Sequence, residues 1–364
     1  MSLASVCHAA PEKEPVSVIC VEADTGLVLH EKHVDVPRPP ASMVKMIQLL
    51  LVAEGLEAGR WTLETPVTVS KRAQHMGGTQ VYVEAGEVWP LGQLMRAVAV
   101  ASANDAAMAV AEGLWGSEEA YRKAANARAL ELDMDLTVFH SVHGLPPDAG
   151  EALDQSTARD MARLACEAVR HPQVLEWVGQ KEIRFRPQDA IHYNTNKLLW
   201  RMEDCDGLKT GYIRAAKFCI TATAQRNGIR LISVVMGSPS KYGRFNLAQE
   251  MMEEGFKKLK RIHAVQQGQP AGEALPVAGH SQKVQLVADK DIWVIILNGN
   301  ESTLEFYAER PDTLVPPIAA GTVVGELQIE LGGVRLGRSP LSVPVDLPPT
   351  GPAGKPPGAA LATE

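Results

Sequence analysis

The chain has few cysteines and no long apolar run, and each shortage excludes a class of protein. Its five cysteines form no C-x-x-C pair, so neither a zinc cluster nor a disulfide framework is expected, although one disulfide stays open. No stretch approaches the length of a transmembrane helix. His140 and His143 lack the acidic partner of an H-E-x-x-H motif, so we expect no metal and no other cofactor.

Positive charge is not concentrated on any part of the chain. The 36 lysines and arginines stand against 43 acidic residues, which gives a formal net charge of -7 at pH 7. The basic run at 257–261 is short and lies at the predicted C-terminus of a helix, where cations are favoured. A nucleic-acid partner is therefore not expected.

Composition divides the 364 residues into four parts. Residues 1–14 include small residues like those at the end of a secretory signal, with a plain disordered N-terminus as the alternative. Residues 15–262 combine β-rich runs with helical patterns and form the first predicted domain. Residues 263–346 begin with a Gly- and Pro-rich linker at 266–282, and the short alternating runs after the linker predict a small all-β domain. Residues 347–364 are rich in Pro, Gly and Ala and are expected to be disordered.

The order of elements in the first domain indicates its fold class. Runs at 16–21 and 26–30 flank a turn, and runs at 218–223 and 229–236 are joined by Asn-Gly, the strongest short hairpin signal. Helical patterns lie between these pairs, and a helix at 244–261 closes the domain. We therefore predict an α/β domain of the α+β type, in which an antiparallel sheet built from both ends packs against a helical cluster.

A Ser-x-x-Lys motif at Ser42 and Lys45 follows two prolines and leads into an apolar helix. Ser42 should lie near the helix N-terminus with Lys45 one turn later on the same face. A neutral lysine in that place can take the proton of the hydroxyl, so the pair is a candidate nucleophile and base. The alternative is a helix cap with an exposed lysine. A second Ser-x-x-Lys, from Ser238 to Lys241, contains a proline and predicts a turn.

Two further motifs favour the catalytic interpretation. Ser102-Ala103-Asn104 interrupts an almost wholly apolar helical pattern, where polar residues need a reason. Lys209-Thr210-Gly211 stands just before the predicted hairpin strands. The three motifs occur in the order Ser-x-x-Lys, Ser-x-Asn, Lys-Thr-Gly, which is the order of a penicillin-reactive serine site.

At these motifs the sequence resembles the low-molecular-mass penicillin-binding proteins that act as D-alanyl-D-alanine carboxypeptidases. The resemblance runs from about residue 16 to residue 261 and includes His143-Gly144-Leu145, Ala-Arg-Asp-Met at 158–161, Asn-Lys-Leu-Leu-Trp at 196–200 and Asp-Gly-Leu at 206–208. It implies a β-lactamase-like transpeptidase fold with an antiparallel five-stranded sheet, followed by the family's small β domain. It also implies removal of the terminal D-alanine from peptidoglycan stem peptides and acylation by β-lactams. An exported protein of the periplasm or cell envelope, associated peripherally with the outer face of the cytoplasmic membrane, is expected.

The resemblance also implies roles for individual residues. Ser42 would attack the peptide carbonyl, Lys45 would take its proton, and Ser102 would pass a proton to the leaving amine. Lys45 must then be neutral, which burial and a neighbouring lysine would favour. Asn104 would hydrogen-bond the substrate amide or the base. Lys209 and Thr210 would bind the free C-terminal carboxylate, with Arg244 assisting. The backbone N–H groups of Ser42 and Tyr212 would hold the oxyanion, and Gly211 is the remaining expected substrate-binding residue.

Alternatives within the same fold remain open, and two residues depart from the family pattern. A β-lactamase needs a deacylating Glu-x-x-x-Asn loop, which residues 151–155 do not match. A catalytically idle cell-wall-binding scaffold and an endopeptidase that cuts cross-links are the others. Ile213 stands where the family has threonine, and Thr195 stands where some relatives have arginine. Carboxylate recognition is therefore expected to rest more on Arg244.

Overall fold

The structure is a computed structural model that describes residues 16–147, 150 and 152–349. The chain divides into two compact units, and the division lies between Lys257 and Lys258. The division lies earlier than the predicted boundary between residues 262 and 263, because a strand starts where the last helix of the first unit ends. The predicted signal remnant at 1–14 lies outside the described residues.

The described part of the first unit alternates strands and helices in chain order. Its strands are β1 (Ser17–Glu22), β2 (Val28–Lys32), β3 (Pro66–Thr68), β4 (Val88–Pro90), β5 (Glu182–Ile183), β6 (His192–Tyr193), β7 (Cys205–Ile213), β8 (Lys217–Arg226) and β9 (Ile229–Ser238). Its helices are α1 (Lys45–Glu57), α2 (Lys71–Gln74), α3 (Leu91–Val100), α4 (Asn104–Trp115), α5 (Glu118–Glu131), α6 (Ala158–Ala168), α7 (Pro172–Val178), α8 (Leu198–Arg201) and α9 (Gly243–Lys258). A 3₁₀ turn, Ala41–Val44, precedes α1.

The main sheet has five antiparallel strands in the order β2-β1-β9-β8-β7. Strand β1 pairs with β9, for example Val18 with Val235, so the two ends of the domain meet in the middle of the sheet. The two predicted hairpins are β1–β2 and β8–β9. The α+β fold with a five-stranded antiparallel sheet is confirmed.

The residue pattern did not predict strand β7, whereas the resemblance implied that Tyr212 lies on a strand. Lys209-Thr210-Gly211 was placed before the first strand of the hairpin, whereas it lies inside β7 at the edge of the sheet. The segment contains two glycines and polar side chains, which have low strand propensity. Pairing with β8 and burial of most of its residues decide the conformation instead.

The helices build one apolar core against the sheet. In α1 the stretch from Lys45 to Ala53 is wholly buried, and only Lys45 and Gln48 in it are polar. A helix without a polar face has to be surrounded by protein, so α1 lies inside the unit. That position takes the base predicted at its first residue out of water.

The second unit is all-β apart from one 3₁₀ turn in its described residues, and the predicted β domain is confirmed in kind. Its strands are β10 (Leu259–Val265), β11 (Pro270–Pro276), β12 (Lys283–Ala288), β13 (Ile292–Leu297), β14 (Glu305–Glu309), β15 (Val323–Leu331) and β16 (Val334–Ser342). They form a five-stranded sheet in the order β11-β12-β16-β15-β14 and the pair β10-β13 around a second core.

Three details of the second part of the chain differ from the prediction. The helix predicted to residue 261 ends at Lys258, because the residues from Leu259 onward pair with β13 as an antiparallel strand. The predicted linker contains β11, in which Ala271 and Leu275 are buried. The surrounding Gly and Pro residues gave the stretch the composition of a linker. In the predicted disordered tail Leu347 is buried and pairs with Ile318, while residues 350–364 lie outside the described chain. No helix in the described ranges is long and apolar enough to cross a membrane.

Candidate active site

The Ser-x-x-Lys motif folds as predicted into a turn that continues as a helix. Ser42 lies in the 3₁₀ turn, and Lys45 is the first residue of α1. The Lys45 side-chain nitrogen lies 3.2 Å from Ser42 Oγ. The neighbouring Ala41 has φ of 50°, a left-handed conformation that costs free energy for a residue with a β-carbon. This strained turn holds the serine hydroxyl against the lysine.

Lys45 is completely buried and makes two further contacts, both to oxygen atoms that can only accept. Its Nζ lies 2.7 Å from Asn104 Oδ1 and 2.9 Å from the carbonyl oxygen of His143. Burial, followed by the positive charge of Lys209, holds the pKa of Lys45 well below its ordinary value. The environment therefore favours the neutral amine that a general base requires.

Two glycines let other segments approach Ser42. A β-carbon on Gly144, where φ is 75°, would lie 2.2 Å from the Ala41 carbonyl oxygen and 2.9 Å from the Ser42 nitrogen. A β-carbon on Gly211 would lie 2.5 Å from the Pro40 carbonyl oxygen. Glycine is required at both positions because a side chain would push the turn away. The third motif thus contacts the first directly.

The Ser-x-Asn motif forms the break between α3 and α4. Ser102 has φ of 60°, and Asn104 begins α4. The Asn104 side chain accepts from Lys45 and donates to the carbonyl of Gly77 at 2.7 Å. The break thus turns two polar side chains inward, where a continuous helix would place apolar ones.

Lys209 and Thr210 lie on β7 with separate partners. Lys209 Nζ is buried and donates to Ser102 Oγ at 2.8 Å, which joins the second and third motifs. Burial, and then the charge of Arg244, lowers the pKa of Lys209 to about 7. Thr210 Oγ1 lies 2.8 Å from Thr195 Oγ1, so the residue that stands in place of an arginine contacts the third motif.

Arg244 supports β7 from α9. Its Nη1 donates to the carbonyls of Gly211 and Cys219, both at 3.0 Å, and its guanidinium stacks on Phe218. Phe218 stacks in turn on Tyr212, whose side chain is 55% exposed. Arg244 therefore supports the strand through these contacts, and its predicted part in binding the substrate carboxylate stays a prediction.

One positioning residue, Asp105, was not identified from the sequence. Its buried carboxylate accepts from the backbone N–H groups of Val81, Val83 and Ala106 at 2.9 to 3.2 Å. The fixed segment also carries Gly77, the acceptor of Asn104. The only sequence signal was that an acid directly follows the Ser-x-Asn motif.

A second unpredicted arrangement holds the His143 carbonyl. Asp154 accepts from Ser141 Oγ at 2.7 Å, and Ser141 Oγ accepts from the N–H of Gly144 at 2.8 Å. Burial raises the pKa of Asp154. Burial, with the charges of Lys45 and Arg72, lowers the pKa of His143 to about 3, so its ring is neutral in the site.

The set of described residues nearest to a metal site does not suit one. Glu54, Glu167 and His171 have potential ligand atoms within 4.8 Å of one another. The Arg128 guanidinium lies 2.8 Å from Glu54 and 2.9 Å from Glu167, so it already neutralises both carboxylates. The four cysteines in the described part of the chain form no disulfide with one another.

Comparison with known proteins decides the family. A sequence profile described as D-alanyl-D-alanine carboxypeptidase matches residues 5–240, and one for the penicillin-binding protein 5 C-terminal domain matches residues 260–348. The chain belongs to the D-alanyl-D-alanine carboxypeptidase family. Its resemblance to the low-molecular-mass penicillin-binding proteins is confirmed, for both domains.

Individual relatives agree with this assignment. The D-alanyl-D-alanine carboxypeptidase DacF of Bacillus subtilis is 30% identical over 93% of this chain and 87% of its own. The crystal structure of PBP3, a peptidoglycan synthesis regulatory factor of Streptococcus pneumoniae, has a TM-score of 0.79 at 28% identity and covers 91% of this chain and 98% of its own. The crystal structure of ampicillin-bound penicillin-binding protein D2 of Listeria monocytogenes has a TM-score of 0.59 at 29% identity. It covers 66% of this chain and 96% of its own.

Proposed function

We propose that this protein removes the terminal D-alanine from peptidoglycan stem peptides through an acyl-enzyme on Ser42, and that β-lactams acylate the same hydroxyl. The observation that carries the proposal is the contact between Ser42 Oγ and the buried Lys45 amine. A hydroxyl needs a base within hydrogen-bond reach to become a nucleophile, and this lysine is such a base.

The contacts of Lys45 are consistent with a proton moving from the serine to the amine. A neutral amine has two N–H groups, and the carbonyl oxygens of Asn104 and His143 accept both. Ser42 Oγ is then the neighbour left for the lone pair, and its hydroxyl, which lies 3.3 Å from the His143 carbonyl oxygen, can rotate to donate to the amine. After the attack on the substrate carbonyl, the proton lies on Lys45, and Ser102 is the candidate to pass a proton to the leaving D-alanine.

The expected binding roles follow from the position of β7. Gly211 lies against the Ser42 turn, so we assign the backbone N–H groups of Ser42 and Tyr212 to the oxyanion. We assign the substrate carboxylate to Lys209 and Thr210, with Arg244 holding the strand that carries them. Hydrolysis of the acyl-enzyme by water completes the reaction.

Intact mass after incubation with penicillin tests the nucleophile, and D-alanine release from diacetyl-L-Lys-D-Ala-D-Ala tests the reaction. We expect one adduct on Ser42 and release of a single D-alanine. Ser42→Ala should abolish both, with rates lower by about 10⁴-fold or more. Lys45→Arg should nearly abolish the adduct and the release of D-alanine, because a guanidinium keeps its proton and cannot act as the base.

A matched control is Ser238→Ala, in the second Ser-x-x-Lys, which should keep full labelling. Retained labelling of Ser42→Ala would disprove the assignment of the nucleophile. No adduct and no release in the wild-type protein would leave the fold and favour a binding role.

We propose further that the protein acts outside the cytoplasmic membrane, where peptidoglycan lies, and that its contact with the membrane is peripheral. Phe306 and Tyr307 on the edge strand β14 of the second unit are 52% and 49% exposed, and we assign the membrane contact to this strand. Sedimentation with anionic lipid vesicles tests it, and protein that stays in the supernatant would contradict it.

A further inference from the structure

The segment from β6 to α8 places two aromatic rings and a lysine together at the surface. Tyr193 is 56% exposed and Trp200 is 44% exposed. The Lys197 Nζ lies 5.8 Å from the ring centroid of Tyr193 and 4.5 Å from that of Trp200. We name Tyr193, Lys197 and Trp200 the aromatic platform. Single exposed apolar residues are ordinary, but two exposed rings on either side of one lysine amine offer a ligand a shared surface.

The backbone beneath the aromatic platform is rigid. Asn194 and Asn196 are buried and point inward between the exposed residues. Asn194 Nδ2 donates to the Gln180 carbonyl at 2.8 Å, and Asn196 Nδ2 donates to the Gly207 carbonyl at 2.7 Å. Lys197 Nζ donates to the Asn194 carbonyl at 2.9 Å. A surface held in place in this way loses little entropy when a ligand binds.

The aromatic platform continues the proposed substrate site. Thr195 lies between the two buried asparagines, and its hydroxyl is 2.8 Å from that of Thr210. Thr210 directly follows Lys209, to which we assign the substrate carboxylate. A ligand larger than the D-Ala-D-Ala terminus can therefore extend from the edge of β7 to Trp200.

The amine of Lys197 suits an anionic ligand. Between the flanking acids Asp189 and Glu203, the charged side chains are those of Lys197 and Arg201. Burial, and then the nearby charge of Lys241, lowers the pKa of Lys197. A carboxylate would relieve this repulsion and can pair with the ammonium group. Polymeric peptidoglycan offers both partners, since its sugar rings have apolar faces and its stem peptides have free carboxylates.

We propose that the aromatic platform binds the glycan part of polymeric peptidoglycan, with Trp200 against a sugar ring and Lys197 paired with a stem-peptide carboxylate. The inference rests on the proposed function, because it extends the same substrate beyond its terminus. The platform would add a second contact that a soluble peptide cannot make, so polymer and peptide should respond differently to its loss.

The test compares two substrates with the full chain. D-Alanine release is measured from soluble diacetyl-L-Lys-D-Ala-D-Ala and from insoluble sacculi rich in pentapeptides. We expect Trp200→Ala and Lys197→Gln to lower the rate on sacculi by about tenfold and to change the rate on the soluble peptide by less than about twofold. Trp200→Phe should restore most of the sacculus activity. Leu130→Ala, at a 65% exposed position on α5, is the matched control and should change neither.

Binding is measured separately by co-sedimentation with sacculi whose pentapeptides have been trimmed. An equal loss on both substrates, or no loss on sacculi, would overturn the proposal, provided that labelling by penicillin shows a folded site. If the wild-type protein released no D-alanine from the soluble peptide, the proposed function would fail. Co-sedimentation would still test the platform, because Trp200→Ala should then bind sacculi less than the wild-type protein does.

Discussion

Lys209 Nζ donates a 2.8 Å hydrogen bond to Ser102 Oγ, although the two residues are 107 positions apart in the chain. The bond joins the edge of the sheet to the break between α3 and α4. Because Lys209 is buried and also affects the pKa of Lys45, its protonation state influences both the binding of substrate and the base.

The KM for a peptide with a free carboxylate should rise as the pH increases above 7. The pKa of Lys209 is about 7, so the positive charge that attracts the carboxylate is present below that pH and lost above it. The rise should approach about tenfold per pH unit, and an amidated peptide should lack it. Lys209→Arg keeps its charge and should give a flat KM. The same pH dependence in that variant would contradict the assignment.

Replacing Arg244 should weaken the support of β7 and so lower activity whether or not the substrate has a free carboxylate. Arg244→Gln removes the hydrogen bonds to the carbonyls of Gly211 and Cys219. We expect kcat/KM to fall by about tenfold for free-carboxylate and amidated peptides alike. Arg226→Gln, in a part-exposed ion pair, is the control and should keep its activity. A loss limited to the free carboxylate would instead indicate direct contact.

Asp105→Asn should loosen the segment that carries Gly77. An amide retains one acceptor oxygen but faces the same backbone N–H groups with an NH₂ group, so donors are left unpaired. We expect the free energy of unfolding to fall by about 2 kcal/mol.

Misplacement of Asn104 should also lower kcat by about tenfold with little change in KM. Chemical denaturation and steady-state kinetics measure both effects. Asp24→Asn, at an exposed turn, should show neither, and unchanged kcat in Asp105→Asn would exclude the positioning role.

Gly144→Ala should remove most of the activity. The added methyl group would lie 2.2 Å from the Ala41 carbonyl oxygen, so the turn that carries Ser42 has to move. Relieving this contact requires a shift of about 1 Å, and a shift of that size can cost about 100-fold in kcat/KM. Gly116 has a similar φ of 82° but open space around it, so Gly116→Ala should cost only about 1 kcal/mol of stability and leave acylation by penicillin unchanged.

The sequence determined the chemistry because local geometry was sufficient for it. A serine and a lysine three positions apart at the start of a helix share a face, and the apolar stretch after Lys45 predicted that helix. The order of the three motifs then identified the family, and the Asn-Gly pair identified the central hairpin. Each motif and the Asn-Gly pair span only a few residues, where spacing decides which side chains meet.

Tertiary structure decided which groups hold those residues. The low strand propensity of the segment around Lys209 was overridden by pairing with β8, and Arg244 proved to be bound to carbonyls of the sheet. The partners of Asn104 and Lys45 include the carbonyls of Gly77 and His143, which any residue could supply. Backbone carbonyls carry no sequence signal, and their partners are distant in the chain, so only the folded packing brings them together.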